Sequence, residues 1–283
     1  MALCEIQKGK IDMRQIAIYG KGGVGKSTIT QNLTAAFAEK GRRILLTGCD
    51  PKADSVRLII GRFIPETVME LIAEYGDNID KDMIVSRGFG DISVVESGGP
   101  RPGVGCAGRG ITLALQIMEA AGVFDDEYDY AFYDVLGDVV CGGFAAPIRK
   151  AKEIYIVCSG ELMALYAANN ICMGIANYAD DGDVRLGGII CNGKDISWEQ
   201  ELVSEFAEAI GTQMIGYIPK NIIMQKAELE RKTVIEYAPD DEQADDFRQL
   251  AEKIENNKLL SVPNPLAKDN LEKLFEKYLR REW

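Results

Sequence analysis

Gln15-Ile-Ala-Ile-Tyr19 runs directly into Gly20-Lys-Gly-Gly-Val-Gly-Lys-Ser27, and a helical pattern begins at once behind it. A short apolar strand, a glycine-rich turn and a helix start, in that order, form the setting that a phosphate-binding loop requires. Gly22, Gly23 and Gly25 let consecutive backbone N–H groups turn inward onto phosphate oxygens, and the helix N-terminus adds its dipole. Lys26 is then placed to reach the β- and γ-phosphates, and Ser27 to ligate magnesium. An ordinary glycine-rich turn has no need of a Lys-Ser pair at that spot.

Outward from this loop, short β-branched runs alternate with helical patterns, which predicts an α/β fold with a doubly wound, mainly parallel sheet. Seven strands are expected, at 15–19, 43–47, 92–96, 130–133, 153–158, 185–191 and 213–218. Ile29, Leu33, Ala36 and Phe37 recur at helical spacing until Gly41, and a second helix stops at Gly122. Asp269 is expected to cap a last helix whose Leu271, Leu274, Phe275, Tyr278 and Leu279 form one stripe against the chain's own core. Asp50-Pro-Lys-Ala-Asp54 follows the second expected strand, and Asp134-Val-Leu-Gly-Asp138 follows the fourth. Ligands of open α/β sheets gather at the carboxyl ends of the strands, so all four aspartates are expected to face magnesium and the γ-phosphate. One such carboxylate can hold magnesium through water, and one beyond the metal can orient water for in-line attack.

Charge narrows the choice of partner. The 32 basic and 44 acidic side chains leave a net charge of −12, which repels nucleic acid and anionic lipid in the absence of a basic patch. No apolar run approaches the roughly 18 residues of a membrane span, and the start Met1-Ala-Leu-Cys-Glu-Ile has no signal-peptide core. A cytoplasmic location is therefore expected, with neither nucleic acid nor membrane as partner. The lack of any histidine excludes Ser-His-Asp and Cys-His catalysis, His-ligated zinc and His-held haem. Chemistry falls to carboxylates, lysines, backbone amides, thiolates or a cofactor.

Seven cysteines, an odd number without regular spacing, argue against a disulfide framework. Cys49, Cys158 and Cys191 end strand-like runs and Cys172 sits in an Ala-rich helical stretch, where a thiol acts as a small buried hydrophobe. Cys4 lies in an expected tail. Cys106 and Cys141 differ, because Gly98-Gly-Pro-Arg-Pro-Gly-Val-Gly-Cys-Ala-Gly-Arg-Gly110 and Cys141-Gly-Gly143 surround them with glycine. Such frames let the backbone approach something bulky, and a helix expected from Ile111 favours thiolate. Iron–sulfur clusters want four thiolates, yet neither cysteine has a neighbour at ligand spacing. Spacing alone leaves two readings, a cluster shared across a two-fold axis or two unrelated loop cysteines.

Lys21 to Thr28, Gly48-Cys-Asp-Pro-Lys-Ala-Asp-Ser55, Glu96-Ser-Gly-Gly-Pro100, Pro102 to Gly110, Tyr133-Asp-Val-Leu-Gly-Asp-Val-Val-Cys-Gly-Gly-Phe144 and Tyr166-Ala-Ala-Asn-Asn170 together resemble the nitrogenase iron protein family. The resemblance runs from about Met13 to Leu266. Lys21, the extra lysine of the loop, resembles that of the deviant Walker A dimeric ATPases, where it reaches the nucleotide of the other subunit. The resemblance implies a P-loop NTPase of that dimeric type: a homodimer with MgATP in each subunit and one 4Fe-4S cluster held by Cys106 and Cys141 of both chains. Electrons from a low-potential donor, ferredoxin or flavodoxin, would pass to a catalytic metalloprotein component as ATP is hydrolysed.

Residue by residue, the resemblance gives Gly22, Gly23, Gly25, Lys26, Ser27 and Thr28 to the nucleotide and Lys21 to catalysis across the dimer. It gives Asp138 a water-positioning role, Asp50 and Asp54 the first switch, Asp134 the start of the second, and Asn192 and Gln225 the adenine side. Arg109 matches an arginine that some members ADP-ribosylate reversibly. Residues 1–12 read as an N-terminal extension and 13–283 as a single ATPase and iron–sulfur domain.

Two departures bear on the partner. Pro100-Arg101-Pro102 stands where nitrogenase members usually have Pro-Glu-Pro, and Pro219-Lys220-Asn221 where they have Pro-Arg-Asp. A nitrogenase-like reductase serving a tetrapyrrole-reducing or carbon–sulfur-cleaving partner therefore stands as the alternative. A partition or septum-positioning ATPase shares the variant loop, but should show a basic DNA face or a membrane-binding terminal helix. Residues 268–283, with five basic and four acidic side chains, are too balanced for that. A cluster carrier should show a close cysteine pair.

Overall fold

Eight strands form one sheet in the computed structural model, which describes residues 13–64, 66–76, 78–99, 107–125, 127–137, 147, 150–179 and 183–282. They are β1 (Arg14–Gly20), β2 (Ile44–Cys49), β3 (Ser86–Arg87), β4 (Ser93–Glu96), β5 (Tyr130–Val135), β6 (Glu153–Cys158), β7 (Arg185–Asn192) and β8 (Met214–Ile218), in the order β3-β4-β2-β5-β1-β6-β7-β8. Seven match the expected strands. The eighth, β3, is a two-residue edge strand pairing antiparallel with β4, too short to leave a pattern in sequence. The other pairs are parallel. β2, β5 and β6 are buried along their whole length, which is why they read as mainly apolar runs rather than alternating ones.

The helices are α1 (Lys26–Glu39), α2 (Arg57–Ile60), α3 (Val68–Tyr75), α4 (Lys81–Ile84), α5 (Ala107–Ala120), α6 (Leu162–Ala179), α7 (Glu199–Ala209), α8 (Ile222–Leu229), α9 (Val234–Tyr237), α10 (Glu242–Glu255) and α11 (Lys268–Leu279). From central β1 the chain builds outward through β2 to β4, returns for β5, and then builds the other way through β6, β7 and β8. Because parallel crossovers are right-handed, the two directions of travel put their helices on opposite faces. The turn in direction leaves the phosphate loop, after β1, in the middle of the sheet's carboxyl edge.

Local signals explain most of the helix ends. Gly41, at φ 78°, follows α1, and Thr67 with Glu70 forms a reciprocal cap on α3. The expected cap at Asp269 is corrected: α11 begins at Lys268 with Ala267 before it, and Asp269 lies in the first turn. Its carboxylate still suits the positive end of the helix. The stripe expected on α11 does face the core, with Trp198 meeting Phe275 edge-on at 5.5 Å and Tyr278 at 6.2 Å.

Phe37 of α1 lies against Tyr130 and Phe132 of β5 at 4.6 and 5.4 Å. Arg14 joins Glu153 and also donates to the Ile254 and Glu255 carbonyls at 2.8 and 2.9 Å, tying the end of α10 to the sheet. Cys49, Cys158, Cys172 and Cys191 are buried free thiols, as expected of filler, and burial pushes the Cys158 thiol up to about 12. Among the described residues, no helix is long and apolar enough to cross a membrane.

Candidate nucleotide site

β1 delivers the chain to Gly20, and the loop closes with the Val24 amide donating to the Lys21 carbonyl at 3.1 Å. Gly25 then sits immediately before α1 at φ 93°, a left-handed conformation that favours glycine, and its carbonyl accepts the Ile29 amide at 3.0 Å. A side chain at Gly25 would also run into the Asn192 amide. That amide donates to the Val24 carbonyl at 2.7 Å, so the last residue of β7 supports the loop from behind.

Lys26 is buried, and its Nζ donates to Asp134 Oδ1 at 2.6 Å and to Ser27 Oγ at 3.4 Å. Asp134 is not on a loop after the fourth expected strand. It is the penultimate residue of β5, wholly buried, and its other oxygen, Oδ2, has no partner. A fully buried carboxylate is tolerable there because Lys26 stands against it. Gly137, just beyond β5, abuts the loop backbone: a Cβ there would overlap the Gly20 carbonyl oxygen and lie 2.9 Å from the Gly22 nitrogen.

Asp50 is buried and shapes a turn, accepting the Lys52 amide on Oδ1 at 2.9 Å and the Ala53 amide on its carbonyl at 3.0 Å. Ala53 takes φ 52°, and Asp54 is half-buried. Thr28 Oγ1 donates to Glu228 Oε1 on α8 at 2.7 Å, while Gln225 on the same helix is exposed. Lys21 is half-buried, and Gly22 and Gly23 are exposed. The structure thus brings Lys26, Ser27 and Asp134 together, with Asn192 behind the loop. α5, described over Ala107–Ala120, takes in residues before the expected Ile111, and Arg109 is an exposed residue of it. Cys106, Cys141 and Asp138 lie outside the described residues.

Sequence reasoning missed Glu96 and Gln31. Glu96 ends β4 and is buried, and burial, with Asp134 nearby, pushes its carboxyl well above the usual carboxylate range. Its Oε1 accepts the Val56 amide at 2.9 Å, whereas Oε2 has no partner and lies over Gly48, where any Cβ would collide with it. Gly48 is the register partner of both Glu96 and Asp134, so the two carboxyls flank one glycine. The available signal was an acidic residue closing the buried run Ile92-Ser-Val-Val-Glu96.

Buried polar atoms are normally satisfied, so the orphaned Asp134 Oδ2 beside Lys26 and a glycine cradle fits a magnesium-bound polyphosphate. Among the described residues, no group of three or more Cys, Asp or Glu is set to hold a metal ion alone.

Strand, glycine loop, Lys26-bearing helix and a strand-end aspartate on a mostly parallel sheet define the P-loop NTPase fold. The cell division ATPase MinD of Pyrococcus furiosus shares it at TM-score 0.68 and 20% identity, over 86% of this chain and 98% of that one. The septum site-determining protein MinD of Pyrococcus horikoshii OT3, solved with Mg-ADP, aligns at TM-score 0.69 and 18% identity, over 86% and 96%. A ParA family ATPase from Chlorobium tepidum TLS aligns at 0.65 and 20%, over 84% and 98%. At such identities the likeness is one of fold alone. The sequence itself is more specific: residues 14–280 match the model of the 4Fe-4S iron sulfur cluster binding proteins, NifH/frxC family, and the chain belongs to that family.

Proposed function

We propose that this chain is an ATP-dependent electron-transfer reductase that works as a homodimer, one P-loop ATPase and iron–sulfur domain per chain. The family match over residues 14–280 carries this reading, because it joins the phosphate loop and the glycine-framed Cys106 and Cys141 in one protein. A 4Fe-4S cluster bound by Cys106 and Cys141 of two chains would supply one-electron transfer at low potential. The chain's own residues bind and sense nucleotide. The loop amides and Lys26 hold the phosphates, Ser27 offers its hydroxyl to magnesium, and Lys21 reaches toward the other subunit's nucleotide. Asp134, now paired with Lys26, would hold magnesium through water, Asp138 would orient the attacking water, and Asp50 and Asp54 would respond to the γ-phosphate. Asp134 and Cys141 are seven residues apart, about 25 Å even if fully extended, so one short segment links the phosphate end to the cysteine. ATP hydrolysed to ADP and phosphate thereby gates delivery of an electron, received from ferredoxin or flavodoxin, to a catalytic metalloprotein.

Arg101, in place of the acid usual in nitrogenase members, favours a second version in which that metalloprotein is a tetrapyrrole-reducing or carbon–sulfur-cleaving one. Acetylene reduction with a standard nitrogenase catalytic component separates the two. The reductase itself is tested by anaerobic purification. About four irons per dimer are expected, lost in Cys106→Ser and in Cys141→Ser but kept in Cys158→Ser. Full iron retention in both of the first two variants refutes the bridging cysteines.

A further inference from the structure

Two neighbouring residues of α1 reach in different directions. Gln31 Nε2 donates to the Ser27 carbonyl at 3.1 Å while its Oε1 accepts the Leu58 amide, at the start of α2, at 2.6 Å. Asn32 does the same elsewhere: its Nδ2 donates to the Thr28 carbonyl at 2.9 Å and its Oδ1 accepts the Val234 amide at 2.6 Å. Both are buried to within 2% of full coverage, so neither bond can be replaced by water without rearrangement.

The Leu58 bond falls on a segment that needs outside help. α2 has only four residues, and Val56 before it supplies no side-chain cap, so its first amides are orphans of the usual kind. Val56 is taken by Glu96 from β4, and Leu58 by Gln31 from α1. The stretch just upstream, Asp50 to Asp54, is anchored at its other end by β2, whose last residue is Cys49. The turn proposed as the first switch is thus held at both ends, and its far end is tied to the helix that carries Lys26 and Ser27.

We propose that Gln31 and Glu96 are positioning residues that pin the Val56–Leu58 backbone, so that what occupies the phosphate loop is converted into a defined movement of the Asp50–Asp54 turn. The inference rests on the nucleotide-switch reading above. Without the two pins, strain in the turn would dissipate by sliding α2, and Asp50 and Asp54 would lose their placement while the loop still bound phosphate. Turnover should suffer and nucleotide affinity should not.

The experiment uses the full-length protein and three readouts: amide hydrogen exchange at Val56 and Leu58, tryptic cleavage after Lys52 with MgATP, MgADP or no nucleotide, and steady-state ATP hydrolysis. Gln31→Met is the main variant, with Gln31→Ala held against poor folding. Exchange at Leu58 should rise and kcat should fall about tenfold, with KM for ATP within about twofold, and the ATP-against-ADP difference in cleavage should shrink. Glu96→Leu should act likewise at Val56, and Glu96→Gln, which keeps an acceptor, should recover most of the response. Asn32→Met removes an equivalent clamp far from the turn and should leave the cleavage difference in place. Unchanged kcat and cleavage in the Gln31 variants would overturn the inference, and so would equal loss in Asn32→Met, which would mean general loosening of α1. Fast exchange at Val56 and Leu58 in the unmutated chain would overturn it without reference to nucleotide. Failure of the unmutated chain to bind MgATP would bring down the switch reading along with it, whereas normal binding with unchanged cleavage sinks the pinning alone.

Discussion

Lys26→Met should destabilise the nucleotide-free protein severely, beyond any effect on hydrolysis. The Lys26 ammonium and the Asp134 carboxylate are 2.6 Å apart, with side chains 7% and 0% exposed. At an effective dielectric of about 20, attraction at that distance is about 6 kcal/mol, against a desolvation penalty of several kcal/mol for each ion. The intact pair is therefore close to break-even. Removing the cation alone leaves a wholly buried anion with no countercharge, and the expected loss is about 3–5 kcal/mol. An exposed pair would cost no more than about 1 kcal/mol. In a chain of this size the melting temperature should fall by about 5–8 °C. The assay is urea unfolding without nucleotide, comparing the unmutated chain, Lys26→Met and the double variant Lys26→Met/Asp134→Leu. The double variant should regain most of the loss, because it removes the stranded charge and fills its place with carbon. A single variant within about 0.5 kcal/mol of the unmutated chain, or a double variant no better than the single one, would refute the reasoning.

Gly48→Ala should cost about 2–5 kcal/mol, because its Cβ would collide with the Glu96 carboxyl, come within 2.7 Å of Ser55 Cβ, and break the Glu96–Val56 bond, all visible as a drop in the unfolding midpoint. Glu96→Gln should change the pH dependence of stability. The folded-state pKa of Glu96 is raised, so its contribution is fully present below the ordinary glutamate value of about 4.3 and is lost as pH rises toward the raised value. The variant should therefore gain on the unmutated chain as pH rises above the ordinary glutamate value, and parallel curves would contradict the assignment of a buried neutral acid.

Much of this was legible in the residue string because period and punctuation report backbone geometry directly. Buried strands such as Glu153–Cys158 announce themselves as continuous apolar runs, and Gly20 to Ser27 fixes both a loop shape and a helix start. The fold and the Lys26 and Ser27 neighbourhood followed from these. What stayed hidden depends on partners distant in sequence. Nothing near Asp134 foretells its burial against Lys26, 108 residues earlier, and nothing near Gln31 foretells a bond to Leu58. β3 was invisible because two residues carry no period. Asp269 misled because a good capping residue stood two residues past the cap at Ala267, where its charge is useful for a different reason. Glu96 stood in a resemblance-bearing stretch, yet its place beside Asp134 was hinted at only by a carboxylate closing a run that otherwise belonged in the core.

The contact at Gly137 bears on how freely this sequence can drift. Two stretches of main chain touch there, Gly137 on one side and the Gly20–Gly22 backbone on the other, with no side chain between them. Elsewhere in the core a lost methyl can be answered by a gained one across the interface, so paired substitutions wander together. Main chain has no such currency of exchange. A library randomised at Leu136, Gly137 and Asp138 and selected for a folded, nucleotide-binding product should diversify at Leu136 yet return glycine alone at position 137. The spacing between the strand that carries Asp134 and the phosphate loop would then be inherited unchanged by every descendant, however far its side chains diverge.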